Sequence, residues 1–327
     1  MIEEPIGQLK ALTATDLDAV IAIDSIHSGT SRRGYFTKRL EAAIDRPKDY
    51  VYVGLHIDNT LAGFAFAKLV EGEFGKPGAS SALDAIGINS ALQGQGAGRQ
   101  LLAGVEDILR AKSVAEVTSQ VDWSNQPLIG FFAKAGYALD TRTVLVRSTE
   151  VIGTNDIVMG EDEPLEVDFS SPDSDDPDAL SNDKALIRSM KDSDLRSIIS
   201  IDHKIFGTKR VAYFERKQYE MLNASGIRVS LVAEMDDYPV GFIMARLDYG
   251  EFGHAGQEAV MDTLGVNPGY QGQGVGQALM TQLMANLSVL QVETVRTEVE
   301  WDDTDIIAYL GRVDFTPAQQ ITLRHTL

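Results

Sequence analysis

The chain has no cysteine among its 327 residues. That excludes disulfides, thiolate zinc sites and a cysteine nucleophile. Positive charge is scarce: 29 Lys and Arg stand against 48 Asp and Glu, a formal net charge of −19. A surface that acidic repels phosphate backbones, so neither nucleic acid nor an anionic membrane is an expected partner. No apolar run approaches the roughly 18 residues of a membrane span. The opening Met-Ile-Glu-Glu-Pro has neither the basic nor the apolar segment of an export signal. A cytoplasmic location is the expectation. The five histidines (27, 56, 203, 254 and 325) show no ligand spacing, so no metal site is expected. Hydrophobic residues make up 44 % of the chain, enough for ordinary cores in about two domains.

An internal repeat is present. Gln93-Gly94-Gln95-Gly96-Ala97-Gly98 recurs as Gln271-Gly272-Gln273-Gly274-Val275-Gly276, an offset of 178. The same offset carries Gly29-Thr30-x-Arg32 onto Gly207-Thr208-x-Arg210, Tyr35-Phe36 onto Tyr213-Phe214, and Trp123 onto Trp301. No gap is needed from Gln8 to Leu145, and about a quarter of the positions are identical. Two copies this long can each bury a core, so the chain reads as a duplicated domain rather than a solenoid. The expected boundaries are 1–147 and 185–327. Residues 148–184 form a linker with twelve acids and one base, read as a solvated spacer.

Within one copy, helices are expected at Asp16–His27, Tyr35–Ile44, Gly98–Ala111 and Gln126–Lys134. The third carries Leu101, Leu102, Val105, Ile108 and Leu109 on one face. Strands are expected at Val51–Ile57 and Leu61–Val70, joined through Asp58-Asn59-Thr60, and at Leu83–Asn89, Val114–Val121 and Tyr137–Val146. Each copy is thus a mixed α/β domain.

The main functional signal is the glycine loop between a strand and a helix. Glycines at 94, 96 and 98 let a bulky anion approach the amides. The helix that follows offers unpaired N–H groups and the positive end of its dipole. A diphosphate fits such a site, and each hydrogen bond to a charged group contributes about 1.5–3 kcal/mol. A nucleoside-triphosphate P-loop needs Gly-Lys-Ser/Thr, whereas Gly98 is followed by Arg99-Gln100. A dinucleotide fold wants the loop after its first strand, and here it follows a later one.

Strand, then Gln-x-x-Gly-x-Gly, then amphipathic helix resembles the coenzyme A loop of the GNAT superfamily of acyl-CoA-dependent N-acyltransferases. The lead-in Asp262-Thr263-Leu264-Gly265-Val266-Asn267-Pro268 and the run from Asn125 through Phe131-Phe132 to Gly136-Tyr137 strengthen the resemblance, which spans both copies. It implies two GNAT-like domains, each a mixed, mostly antiparallel central sheet flanked by helices. It implies transfer of an acetyl group from acetyl-CoA to an amine on a small molecule or a protein, by a monomeric pseudo-dimer or a homodimer. The coenzyme would be held by Ile86, Ile88, Gln93, Gly94, Gln95, Gly96, Ala97, Gly98, Arg99 and Asn125. In the second copy the equivalents are Leu264, Val266, Gln271, Gly272, Gln273, Gly274, Val275, Gly276 and Gln277.

Direct acyl transfer needs a neutral amine, and deprotonating an alkyl ammonium at pH 7 costs about 4–5 kcal/mol. A base lowers that cost. Four acids recur near the expected cleft: Asp84 and Asp262 on the key strand, and Glu73 and Glu251 in the preceding Gly-Glu-Phe-Gly. Each competes with a purely structural role. Arg32 and Arg210 are candidates to pair a substrate carboxylate, with a helix stop as the competing reading. Trp123 and Trp301 read as packing at a strand end. The family's usual acid, a tyrosine that protonates the leaving thiolate, falls at Phe132 and Leu310, which have no hydroxyl; Tyr309 is one residue away. A non-catalytic acyl-CoA binding or sensing module, or one active and one structural copy, are the alternatives.

Overall fold

The computed structural model describes residues 5–71, 79–149, 185–219, 229–248 and 258–327. In chain order the first copy gives β1 (Gln8–Ala11), α1 (Leu17–Ser28), α2 (Arg33–Asp45), β2 (Tyr50–Ile57), β3 (Thr60–Glu71) and β4 (Ala79–Ile88). Then come α3 (Ala97–Ala111), β5 (Glu116–Asp122), α4 (Gln126–Lys134), β6 (Ala138–Leu139) and β7 (Arg142–Ser148). The second copy repeats the order as β8 (Leu186–Ser189), α5 (Leu195–Phe206), α6 (Val211–Tyr219), β9 (Leu231–Met235), β10 (Tyr238–Asp248) and β11 (Glu258–Val266). It closes with α7 (Val275–Val289), β12 (Thr294–Glu300), α8 (Thr304–Arg312), β13 (Thr316–Pro317) and β14 (Gln320–Thr326).

Two seven-stranded sheets result, ordered β1-β2-β3-β4-β5-β14-β6 and β13-β7-β12-β11-β10-β9-β8. The β4–β5 and β11–β12 pairs are parallel, within sheets that are otherwise mostly antiparallel. This is the expected α/β class. The hairpin between β2 and β3 turns through Asp58 and Asn59 at φ +47° and +63°, the left-handed pair that a two-residue hairpin loop requires. The leading strand β1 was not anticipated. All four of its residues are exposed, so no alternation marks it.

Alternating side chains of β3 divide each sheet between two helical layers. In the first, Phe64 and Phe66 pack with Val20, Ile21, Ile23, Phe36 and Leu40 of α1 and α2. Ala65 and Ala67 face the other way, against Leu101, Leu102, Val105 and Leu109 of α3. Each of those four α3 side chains is nearly or wholly buried, a contribution of roughly 1.5–3 kcal/mol apiece.

The expected closing strand Tyr137–Val146 is in fact two strands. They flank Asp140-Thr141, where the Asp140 carboxylate accepts the Thr141 N–H at 2.7 Å. β7 lies in the second sheet, and its +178 equivalent β14 lies in the first, between β5 and β6. The two compact units therefore cross the repeat. The first comprises residues up to Val144 together with Ala318–Leu327, and the second runs from Leu145 to Pro317 over its described residues. From residue 150 onward, the acidic linker lies outside the described residues.

Candidate coenzyme site

In the first unit, β4 pairs with β3 along its whole length but with β5 only at Ser80–Ala82 against Glu116–Thr118. The Ser119 hydroxyl donates to the Leu83 carbonyl at 2.9 Å. Beyond that point β5 continues its ladder with β14, and the last residues of β4 border a gap. The second unit repeats the arrangement: β11 meets β12 only at Glu258–Val260, and Thr297 donates to the Met261 carbonyl at 2.9 Å.

The glycine loop closes the far end of the gap. Gly94 and Gly96 take φ +76° and +90°, and Gly272 and Gly274 take +73° and +83°. Side chains resist that region, which is why glycine recurs there. Asn89 accepts the Ala91 N–H at 3.1 Å, and Gln95 reaches back to the Ala91 carbonyl at 2.8 Å. Asn267 and Gln273 do the same at Gly269. The recurring Gln95 and Gln273 therefore shape the loop with their side chains. In α3 the first helical hydrogen bond runs from Gln100 N–H to the Gly96 carbonyl at 3.0 Å. The amides of Ala97, Gly98 and Arg99 precede it and have no partner within the helix. Ala97 is itself fully buried, its methyl packed into the core beneath the loop.

A cavity of about 820 Å³ fills the gap. Ile86, Ile88, Gln93, Gly94, Gln95, Gly96, Gly98, Arg99 and Asn125 all line it, with Phe131, Lys134 and His27 also on its wall. Of the ten coenzyme residues expected in this copy, Ala97 alone is missing from the lining. Asn125 also caps α4, its carboxamide accepting the Leu128 N–H at 3.2 Å. Asp303 caps α8 in the same way. In the second unit Gln271 donates to the Val266 carbonyl at 3.2 Å. Tyr309 donates to the Gly276 carbonyl at 2.9 Å, and burial pushes its hydroxyl up to about 12.

A sequence profile of the Acetyltransferase (GNAT) family matches residues 20–137 and again 194–315. The chain belongs to the GNAT family. The two matches establish the tandem duplication. The structure resembles the tandem GNAT protein from the clavulanic acid biosynthesis pathway (TM-score 0.62, 14 % identity, 98 % of each chain covered). It also resembles a GCN5-related N-acetyltransferase from Sphaerobacter thermophilus (0.58, 15 %, 98 % of this chain and 95 % of that one). A third likeness is to the GCN5-related glucosamine N-acetyltransferase region of a fungal multi-domain GH3 β-N-acetylglucosaminidase (0.65, 14 %, 99 % of this chain). This chain spans only 38 % of that fungal protein. At these identities the likenesses establish the fold. No curated protein matches the chain by sequence.

Of the candidate catalytic acids of this GNAT chain, Asp84 and Asp262 fall within the described residues, and both are paired with cations. Asp84 is the extra residue of a bulge, since Phe66 pairs with Ala85 and Ala67 with Leu83. Its side chain is 2 % exposed and lies 3.6 Å from the Arg39 guanidinium of α2. Asp262 occupies the equivalent bulge, between the Met244–Thr263 and Ala245–Met261 pairs. It is held by Arg246 at 3.2 Å and Lys217 at 3.5 Å. The bulges turn both carboxylates toward buried cations, and Asp84 does not line the cavity. Glu73 and Glu251 lie outside the described residues. Arg32 and Arg210 are bound to Asp24 and Asp202 on the preceding helix, which is the structural role. Phe132 and Leu310 are core residues, each 1 % exposed. Trp123 and Trp301 are more than half exposed, contrary to the packing role expected of them.

His27 is a site residue that sequence reasoning passed over. Its counterpart at +178 is Ile205, so the repeat gave it no support. The signal that could have found it is its place in the last turn of a helix leading into the recurrent Gly29-Thr30-x-Arg32.

Proposed function

We propose that the chain is an N-acetyltransferase that moves an acetyl group from acetyl-CoA to an amine, with the first unit's cavity as the coenzyme site. The supporting observation is a free helix end, two left-handed glycines and a strand gap around one space of about 820 Å³. That is the size of an ordinary ligand pocket. Bound there, the coenzyme supplies an activated thioester. The loop amides and the α3 amides would hold its diphosphate, Arg99 and Lys134 bring positive charge to the same wall, and the β4 edge at Ile86–Ile88 offers backbone groups to the rest of the molecule. The acceptor is an amine of a small molecule or of a protein. The protein works as a monomeric pseudo-dimer or a homodimer, in the cytoplasm.

A second reading, one active and one structural copy, is favoured by the contrast between the loops. The strand-end carbonyl is covered in both units, by His27 at Ile88 and by Gln271 at Val266, but in the second unit Gln277 stands in place of Arg99 and removes its positive charge. Titration calorimetry with coenzyme A, followed by thiol release from acetyl-CoA across a panel of amines, tests both readings. Binding with a stoichiometry of one supports the second. No binding at all removes the proposal.

A further inference from the structure

His27 ends α1 on the wall of the cavity, with Nε2 2.8 Å from the Ile88 carbonyl oxygen. A carbonyl only accepts, so Nε2 carries the proton, and Nδ1 of the neutral ring is left as a lone pair. The ring is exposed. Among the described residues, the ionisable ones on the cavity wall are His27, Arg99 and Lys134. Guanidinium and ammonium groups hold their protons at neutral pH, whereas imidazole exchanges its proton there. Asp84 is absent from this wall and tied to Arg39. The charges around the ring are Asp24, one turn back on α1 and held by Arg32, and Arg99 and Lys134 on α3 and α4. The neighbouring β4 residues Ile86, Gly87 and Ile88 carry no charge.

We infer that His27 is the base that deprotonates the acceptor amine in the first unit. This rests on the acyl-transfer reading above. The ammonium gives one proton to Nδ1. The freed nitrogen lone pair forms the bond to the thioester carbonyl carbon, the carbon–sulfur bond breaks, and the sulfur departs with its electron pair. The nitrogen sheds its second proton to water as the amide forms, the imidazolium returns its proton to water, and the thiolate takes one from water. The second unit has Ile205 at this position, so this base serves the first cavity alone.

The test uses the full chain and His27→Gln, whose carboxamide keeps a donor for the Ile88 carbonyl but has no basic nitrogen. Coenzyme A affinity is measured by calorimetry, and thiol release is followed with amines and with water as acceptors across pH. Ring protonation is read by nitrogen-15 resonance of the imidazole. The expected result is unchanged coenzyme affinity and turnover lower by about 10²–10⁴-fold, with the deficit shrinking as pH rises toward the acceptor's own ionisation, where the amine arrives already neutral. In the neutral ring of the free protein, the proton sits on Nε2. Full turnover in the variant, a deficit that does not shrink as the acceptor ionises, a proton on Nδ1, or a parallel loss of coenzyme affinity overturns the assignment. Coenzyme binding without thiol release in the unsubstituted chain also overturns it, while leaving the cavity as a coenzyme site. Absence of coenzyme binding overturns both.

Discussion

Gly98→Glu isolates the claim that the α3 helix end holds the coenzyme diphosphate. Gly98 is the second residue of α3. A Cβ there stands 3.2 Å from the Phe131 ring and 3.7 Å from Ile88, and both residues line the cavity. The new side chain therefore enters the space assigned to the ligand. It does so without breaking the helix, because an acid in the first turn gains about 0.3–1 kcal/mol from the dipole. Displacing two amide–phosphate hydrogen bonds at about 1.5–3 kcal/mol each removes roughly 3–6 kcal/mol. At 1.4 kcal/mol per decade, the Kd rises about 10²–10⁴-fold. Gly276→Glu is the matched control in the second unit, where the Cβ meets the Tyr309 hydroxyl at 3.2 Å. Calorimetry with coenzyme A reads affinity and stoichiometry for each variant, and thermal melting confirms that both are folded. A folded Gly98→Glu protein with undiminished affinity would refute the reasoning, since no ligand could then lie against those amides.

Asp84→Asn leaves the Arg39 cation buried without its carboxylate, and such losses cost about 3–5 kcal/mol. Its melting temperature should fall steeply, whereas a catalytic base would lose turnover and keep its stability. Deleting residues 320–327 strips β14 from between β5 and β6. The first unit should then unfold and coenzyme binding disappear, and an unchanged melt would show that β14 is dispensable to that sheet. Asp16 and its equivalent Asp194 are partly buried, which pushes their carboxyls up. Hydrogen bonds from Thr13 and His56, and from Arg188 and the Lys191 amide, outweigh that and hold both below the usual carboxylate range. A lowered folded-state value gives stabilisation that is full above the unfolded value near 3.9 and is lost as pH falls through the folded one. Asp16→Asn and Asp194→Asn should each cost about 0.5–2 kcal/mol at neutral pH. In chemical denaturation the deficit should vanish in strong acid, and one that persists there would break the link to ionisation.

What could be read from the amino-acid order follows from how local each requirement is. The glycine loop was legible because left-handed backbone at Gly94, Gly96, Gly272 and Gly274 is a demand on single residues, and it is made twice at a fixed offset. Helices α1, α3 and α4 were legible because their buried faces lie within one element. The exchange of β7 and β14 was not. The two strands are repeat equivalents, each able to extend either sheet, so hydrophobic alternation cannot assign them. The cation pairing of Asp84 and Asp262 was not legible for a related reason. A carboxylate at a bulge recurs in both copies whether it takes a proton from substrate or neutralises a cation, and the cations arrive from α2 and α6, 45 residues earlier in each copy. Shared positions in a duplicated chain thus record what both copies need in order to fold. Chemistry particular to one copy is written where they differ: His27 against Ile205, Arg99 against Gln277, Phe131 against Tyr309. All three differences fall on the wall of the first unit's cavity, which is why the site separates the two copies more sharply than their cores do.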